Sequence, residues 1–166
     1  MNNKFLIIGS NSFSGSNFIN FLLNKKISVV GLSRSQEINF RYLNYKKNKN
    51  FKFFKFIKFN INKDLGSFGK ILKKFEPKYV VNFASQSMVG ESWLTPEDWY
   101  NTNLLSQVKF HNEIRKLKFI KKYVHVTTPE VYGTTKNWIK ENFSFSPSTP
   151  YAVSRASCDL HLKSFY

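Results

Sequence analysis

Lys4 to Gly15 reads K-F-L-I-I-G-S-N-S-F-S-G, a short apolar run that breaks into a polar loop bounded by glycines. Lys4–Ile8 has the length and continuous hydrophobicity of a strand buried on both faces. Past the loop, Phe18, Ile19, Leu22 and Leu23 recur at i, i+1, i+4 and i+5, one face of a helix. Strand, glycine loop and helix in this order are the setting of a dinucleotide-binding fingerprint. Glycine lets the backbone turn and approach a pyrophosphate, and the helix N-terminus offers N–H groups to it. The spacing is G-x-x-S-x-x-G, with small Ser12 where a second glycine is usual. Gly9, Ser12, Phe13, Ser14 and Gly15 are therefore the expected cofactor-binding loop.

Working outward, Ile27–Leu32 forms a second strand that ends in Ser33, Arg34 and Ser35. An acidic residue there would accept from the ribose 2′-hydroxyl of NAD. A hydroxyl and an arginine suit a 2′-phosphate instead, so NADP is the expected cofactor and NAD the alternative. Phe53–Ile61 reads as a third strand, with Asn60 and Ile61 closing it where an adenine ring would lie. Leu65–Phe75 reads as a helix ending before Pro77, and Tyr79–Ala84 as a fourth strand with a polar exit, S-Q-S-M-V-G-E-S-W. Pro96–Leu117 reads as one long helix carrying Asn103, a polar residue among apolar neighbours.

Tyr123–Thr127 is the fifth strand, ending in Thr127 and Thr128 with Glu130 two residues on. Pro150 opens a last helix on which Tyr151 and Arg155 share one face. Strands and helices alternate five times, which predicts an α/β fold: a doubly wound, Rossmann-type parallel sheet flanked by helices, in one domain spanning residues 1–166. Ligands of such sheets bind outside the carboxyl ends of the strands, where a threonine hydroxyl, a carboxylate and a phenol beside a cation form a proton-transfer set.

Composition bounds the rest. The chain has 166 residues, 42% of them hydrophobic, and no apolar run near the roughly 20 residues of a membrane helix. No membrane association is expected, and the short apolar run at Phe5–Ile8 is no signal peptide, so a cytoplasmic location is the expectation. One cysteine, Cys158, excludes an internal disulfide. His111, His125 and His161 are spread along the chain without ligand spacing, so no metal is expected. The net charge of +16 raises nucleic acid as a partner, most directly in Arg41–Lys58, where lysines alternate with aromatics. Lys, Asn, Phe and Ile are abundant together, as an AT-rich genome would produce. The run also reads as a basic loop entering a strand, so nucleic acid is not an expected partner.

Taken together these residues resemble the extended short-chain dehydrogenase/reductase family, in its nucleotide-sugar epimerase/dehydratase branch. The resemblance runs from Lys4 to the end of the chain. It rests on the Gly9–Gly15 loop, N-F-A-S-Q-S-M-V from Asn82, Asn103, T-T-P-E-V-Y-G from Thr127, and Y-A-V-S-R from Tyr151, in order. The resemblance implies further cofactor contacts at Phe83, Ala84, Ser85, Tyr151 and Arg155, and substrate contacts at Ser87, Thr128 and Glu130. It implies a nucleotide-sugar substrate and a homodimer in the full-length form. Tyr151 would take the proton of a sugar 4-hydroxyl with Thr128 assisting, and Glu130 would remove the C5 proton, as in 4,6-dehydratases. Epimerases need no such base, whereas decarboxylases of the same family also carry Thr-x-Glu. Pro129 stands where dTDP-glucose dehydratases have an aspartate, which points to a GDP-mannose-like substrate. Arg155 replaces the family lysine, keeping its charge but not its contacts, and Asn60 replaces an aspartate. Relatives continue for about as long again into a substrate-binding domain, so a truncated form that binds dinucleotide without turnover is expected.

Overall fold

The strand read first, β1 (Lys4–Ile8), lies at the centre of a five-stranded sheet of order β3-β2-β1-β4-β5. Its partners are β2 (Ser28–Ser33), β3 (Phe54–Lys58), β4 (Tyr79–Asn82) and β5 (Lys122–His125), and all four pairings are parallel. The computed structural model describes residues 3–165. Met1, Asn2 and Tyr166, the ends of the expected domain, lie outside the described residues. Leu6 sits between Val30 on one side and Val80 on the other, and Leu6, Ile7 and Ile8 are at most 2% exposed. Burial of Leu6, Ile7 and Ile8 together explains why this part of the strand is continuously apolar rather than alternating. The strand order reverses between β1 and β4, the switch point of a doubly wound sheet.

The chain divides into two compact units. The first comprises residues up to Ala84 together with Glu113–Val126 and holds the whole sheet. Helix α1 (Phe13–Asn24) buries Ile19, Leu22 and Leu23 against Ile7, Val29 and Val81, the face predicted from spacing. Each such side chain contributes about 1.5–3 kcal/mol by leaving water. Helix α2 (Leu65–Phe75) buries Phe68 and Leu72 and sets Phe68 against Phe59, ring centroids 5.4 Å apart. It stops at Glu76, which turns left-handed (φ 49°) before Pro77, the proline disfavouring a further helical residue. Strand β3 is shorter than predicted. The basic segment ahead of it instead forms two 3₁₀ turns, Asn44–Lys47 and Phe51–Phe53, which bury Tyr45.

The second unit comprises Ser85–Asn112 and the residues from Thr127 onward. The predicted helix 96–117 is interrupted: α3 (Pro96–Tyr100) passes through a π-helical turn at Asn101–Leu105 into α4 (Ser106–Ile114). Helix α5 (Pro150–Lys163) begins as its sequence demands. Thr149 Oγ1 accepts from the Ala152 N–H at 3.1 Å and Pro150 takes the first turn, where its missing N–H costs nothing. Two histidines read as scattered are in fact neighbours: the rings of His111 on α4 and His161 on α5 stack with centroids 5.7 Å apart. Tertiary packing, not sequence spacing, brings them together. Among the described residues no helix is long and apolar enough to cross a membrane.

Candidate active site

In the first unit, β1 runs out into Gly9, whose φ of +81° is strained for any residue with a side chain. A Cβ there would lie 2.9 Å from Ala84 N and Phe83 C, so glycine is what lets the β4 exit pass against the loop. Gly15 is likewise packed on the Gly9 carbonyl with no room for a methyl. Ser12 caps α1: its Oγ accepts from the Gly15 N–H at 3.0 Å and donates to the Gly9 carbonyl at 2.7 Å. The hydroxyl at the position of a usual glycine is therefore turned into the loop. Phe13 and Ser14, both exposed, carry the first two N–H groups of the helix, which have no acceptor within it. With the helix dipole behind them they suit an anion.

Asn11 ties this loop to the segment after β2, its Nδ2 donating to the carbonyls of Ser35 (3.1 Å) and Gln36 (2.9 Å). Ser33 ends β2 half-buried, and Arg34 is exposed just beyond it. Past β3, the Asn60 N–H donates to Asp64 at 2.7 Å and its Oδ1 accepts from the Asn62 N–H at 3.0 Å. That side-chain oxygen thus builds a local turn, beside buried Ile61. Glycines that a Cβ would block, two open helix N–H groups and a nearby arginine fit the pyrophosphate and ribose of a dinucleotide.

In the second unit, Thr128 follows β5 in extended conformation and caps the 3₁₀ turn Pro129–Tyr132, its buried Oγ1 accepting from the Glu130 N–H at 3.3 Å. One short turn thus carries a buried hydroxyl and an exposed carboxylate. On α5, Tyr151 is 8% exposed and its backbone is held at both ends. Its N–H donates to Ser92 Oγ at 3.2 Å, and its carbonyl accepts from Ser154 Oγ at 2.6 Å. Ser154 Oγ in turn accepts from Asn103 Nδ2 at 3.0 Å. The same Asn103 amide pairs with the backbone of Gln86, accepting from its N–H at 2.8 Å and donating to its carbonyl at 2.9 Å. One chain of bonds joins Gln86, between exposed Ser85 and Ser87, to the backbone of Tyr151.

Arg155 is buried, at 2% exposure, and its charge is felt by Asp159 and Cys158. Burial raises the Asp159 carboxyl, while the Thr127 hydroxyl that donates to it at 2.5 Å and the Arg155 charge pull it back down. The Cys158 thiol is pushed up to about 12 by burial, so it stays protonated and inert at neutral pH.

Over residues 6–166 the sequence matches the family described as GDP-mannose 4,6 dehydratase. The chain belongs to this family. It is 30% identical over 166 residues to the GDP-mannose 4,6-dehydratase of Vibrio cholerae, covering 93% of this chain and 43% of that protein. A UDP-N-acetylglucosamine 4-epimerase from Methanobrevibacter ruminantium matches it with a TM-score of 0.83 at 28% identity, covering 99% of this chain and 51% of that one. The dTDP-glucose 4,6-dehydratase of Streptomyces venezuelae, solved with NAD bound, does so with a TM-score of 0.83 at 25% identity, covering 98% and 51%. The chain therefore carries the Rossmann-type fold of the extended short-chain dehydrogenase/reductases and spans about half the length of these relatives.

For this GDP-mannose 4,6-dehydratase family member, several site residues escaped sequence reasoning. Ser154 lies three residues after Tyr151 and Asp159 four after Arg155, helical spacings that mark both as neighbours of named residues. Ser92 had no such signal, because its partner is 59 residues away. Asn103, read in the sequence as a polar residue among apolar neighbours, serves a distant backbone and the helix of Tyr151 at once.

Proposed function

We propose that the full product of the gene encoding this chain is a nucleotide-sugar 4,6-dehydratase, with a GDP-hexose such as GDP-mannose as substrate and NADP as cofactor. The observation that carries the reading is the turn at Thr128–Glu130, which pairs a buried hydroxyl with an exposed carboxylate and, through Pro129, has no second acid between them. The Gly9–Gly15 loop and the N–H groups of Phe13 and Ser14 would hold the pyrophosphate, and Arg34 a 2′-phosphate. When bound, the nicotinamide supplies a reversible hydride acceptor.

The chain's own residues handle protons. Tyr151, its backbone fixed by Ser92 and Ser154, takes the proton of the 4-hydroxyl, which Thr128 Oγ1 hydrogen-bonds. Arg155 lies one helical turn along α5, on the same face as Tyr151. Glu130 then removes the proton from C5, made acidic by the neighbouring C4 ketone, and returns it to the hydroxyl leaving C6 as water. The 28% identity to an epimerase supports a second reading, C4 epimerisation, in which Glu130 has no role.

Mass spectrometry of that gene product incubated with GDP-mannose, dTDP-glucose and UDP-N-acetylglucosamine, each with NADP⁺ or NAD⁺, separates these readings. Loss of one water from GDP-mannose, abolished in Tyr151→Phe and reduced at least about 100-fold in Glu130→Gln, is the expected result. A product of unchanged mass that survives Glu130→Gln would establish the epimerase. Failure to bind either dinucleotide would sink both.

A further inference from the structure

The positive charge is not spread evenly along the chain. Residues 1–63 contain twelve of the 26 basic residues and one of the ten acidic ones, Glu37. A base-composition bias that enriches lysine and asparagine does not by itself remove glutamate, so the depletion is a property of this surface. Glu37 is also committed, accepting from the Tyr45 hydroxyl at 2.9 Å and lying 3.8 Å from Lys46 Nζ. No carboxylate from this stretch is left to neutralise the cations around it.

Within that region, the second half of α1 and the 3₁₀ turn Asn44–Lys47 border a shallow, open hollow of about 490 Å³. It is lined by Asn20, Asn24, Asn44, Lys47, Asn48 and Lys49. The orientation of the amides follows from donors whose identity is not in question. The backbone N–H of Asn50 donates to Asn48 at 2.9 Å, so the accepting atom must be Oδ1. Asn48 Nδ2 therefore faces Asn20 and Asn24, 2.6 and 2.8 Å from atoms that must be their Oδ1 oxygens. Both amides thus have their oxygens turned to Asn48 and their NH₂ groups turned away from it. Asn44 is fixed the other way: Asn17 Nδ2 donates to the Phe13 carbonyl, leaving its Oδ1 to accept from Asn44 Nδ2 at 2.8 Å. The lining therefore includes two amides whose NH₂ groups face away from Asn48 and two lysines, against one amide oxygen on Asn44.

We propose that this hollow binds a phosphate group. A phosphate presents several acceptor oxygens and no obligatory donor when ionised, which matches a lining dominated by N–H donors and two lysines. The negative end of the α1 dipole lies at Asn24, and Lys25 and Lys26 follow directly to offset it. The site is separate from the glycine loop: its first residue on α1, Asn20, lies seven residues past Phe13, about 10 Å along the helix axis. It does not rest on the proposed enzymatic activity. The phosphate has two possible sources, a small phosphate ester or the backbone of a single-stranded nucleic acid. Exposed Phe40 and Phe21, each lying under a lysine (Lys47 at 5.1 Å, Lys25 at 5.0 Å), would give a strand faces on which to stack.

Titrating inorganic phosphate into ¹⁵N-labelled protein, with chloride keeping the ionic strength constant, should move the side-chain amide resonances of Asn20 and Asn24 saturably. A Lys47→Gln, Lys49→Gln double variant should weaken this binding at least about tenfold, the loss of two charge-assisted bonds. The charge-matched pair Lys73→Gln, Lys74→Gln at the end of α2 should leave it within about twofold, since general screening alone acts on that pair. Absence of saturable shifts at Asn20 and Asn24, or an equal loss in the α2 pair, would overturn the site. A second titration with a short oligothymidylate decides the source: displacement of the strand by phosphate assigns a nucleic-acid backbone, and no binding of the strand assigns a small ester.

Discussion

Gly9 and Gly69 are both glycines of the sheet-bearing unit, yet substitution should move stability in opposite directions. At Gly9 a methyl meets backbone at 2.9 Å in a conformation of φ +81°, so Gly9→Ala should cost about 2 kcal/mol or more in urea unfolding and abolish dinucleotide retention. At Gly69, inside α2, a Cβ meets nothing within 4 Å. Gly69→Ala should therefore raise stability by about 0.5–1 kcal/mol, because alanine loses less chain entropy in a helix. The need for Gly9 is legible in the sequence, since a glycine directly after a buried strand announces a turn. The job of Ser12 is not. Its small size reads as tolerance of a close approach, whereas the structure uses its hydroxyl to close the first turn of α1. A hydroxyl's direction depends on the backbone groups that fold around it, and composition at one position does not carry that.

At the scale of elements, apolar runs and periodicity located the strands and the helices at 13–24 and 65–75, most directly where a face or run is buried, as in β1, β2 and β4. The helix at 150–163 was legible instead from Pro150 and from the spacing of Tyr151 and Arg155. Periodicity failed where the helical register changes. The π turn at Asn101–Leu105 interrupts what periodicity reads as one helix, and it contains Asn103, whose amide reaches Gln86 and Ser154. Such a turn adds a residue to the helix and re-aims the side chains around it, a shift no 3.6-residue pattern records. Asn103→Ala should leave the Gln86 N–H and carbonyl without their side-chain partner. The expected cost is about 2–3 kcal/mol, with hydrogen exchange at the Gln86 amide accelerated at least tenfold beyond the global change. An equal acceleration throughout α5 and α3 would mean that Asn103 acts only through overall stability.

The whole molecule should respond to acid through His111. Burial first, and the neighbouring His161 second, lower its pKa from 6.5 to about 3. The unfolded chain therefore binds a proton on this residue below pH 6.5 that the folded chain refuses. The stability held above pH 6.5 is lost as pH falls from there towards 3, at no more than about 1.4 kcal/mol per pH unit. Between pH 7 and pH 5 urea unfolding should show a loss of at most about 2 kcal/mol from this source, and His111→Gln should flatten that slope. This pairing was invisible in the sequence, since 50 residues separate two rings that only the packing of α4 on α5 brings together. The two margins of the sheet differ in a way that bears on handling the protein. Among the described residues β3 and β5 each pair on one side only; β3 sets Lys55 and Lys58 in solvent, whereas β5 leaves Val124 and then Val126 at 38% exposure. Charge repels an incoming strand at the first margin, whereas at the second the one exposed strand lysine, Lys122, is followed by exposed valines that favour one. Self-association at high concentration should therefore be directional, seeded from β5, and for that reason little relieved by the large net positive charge concentrated in the first third of the chain.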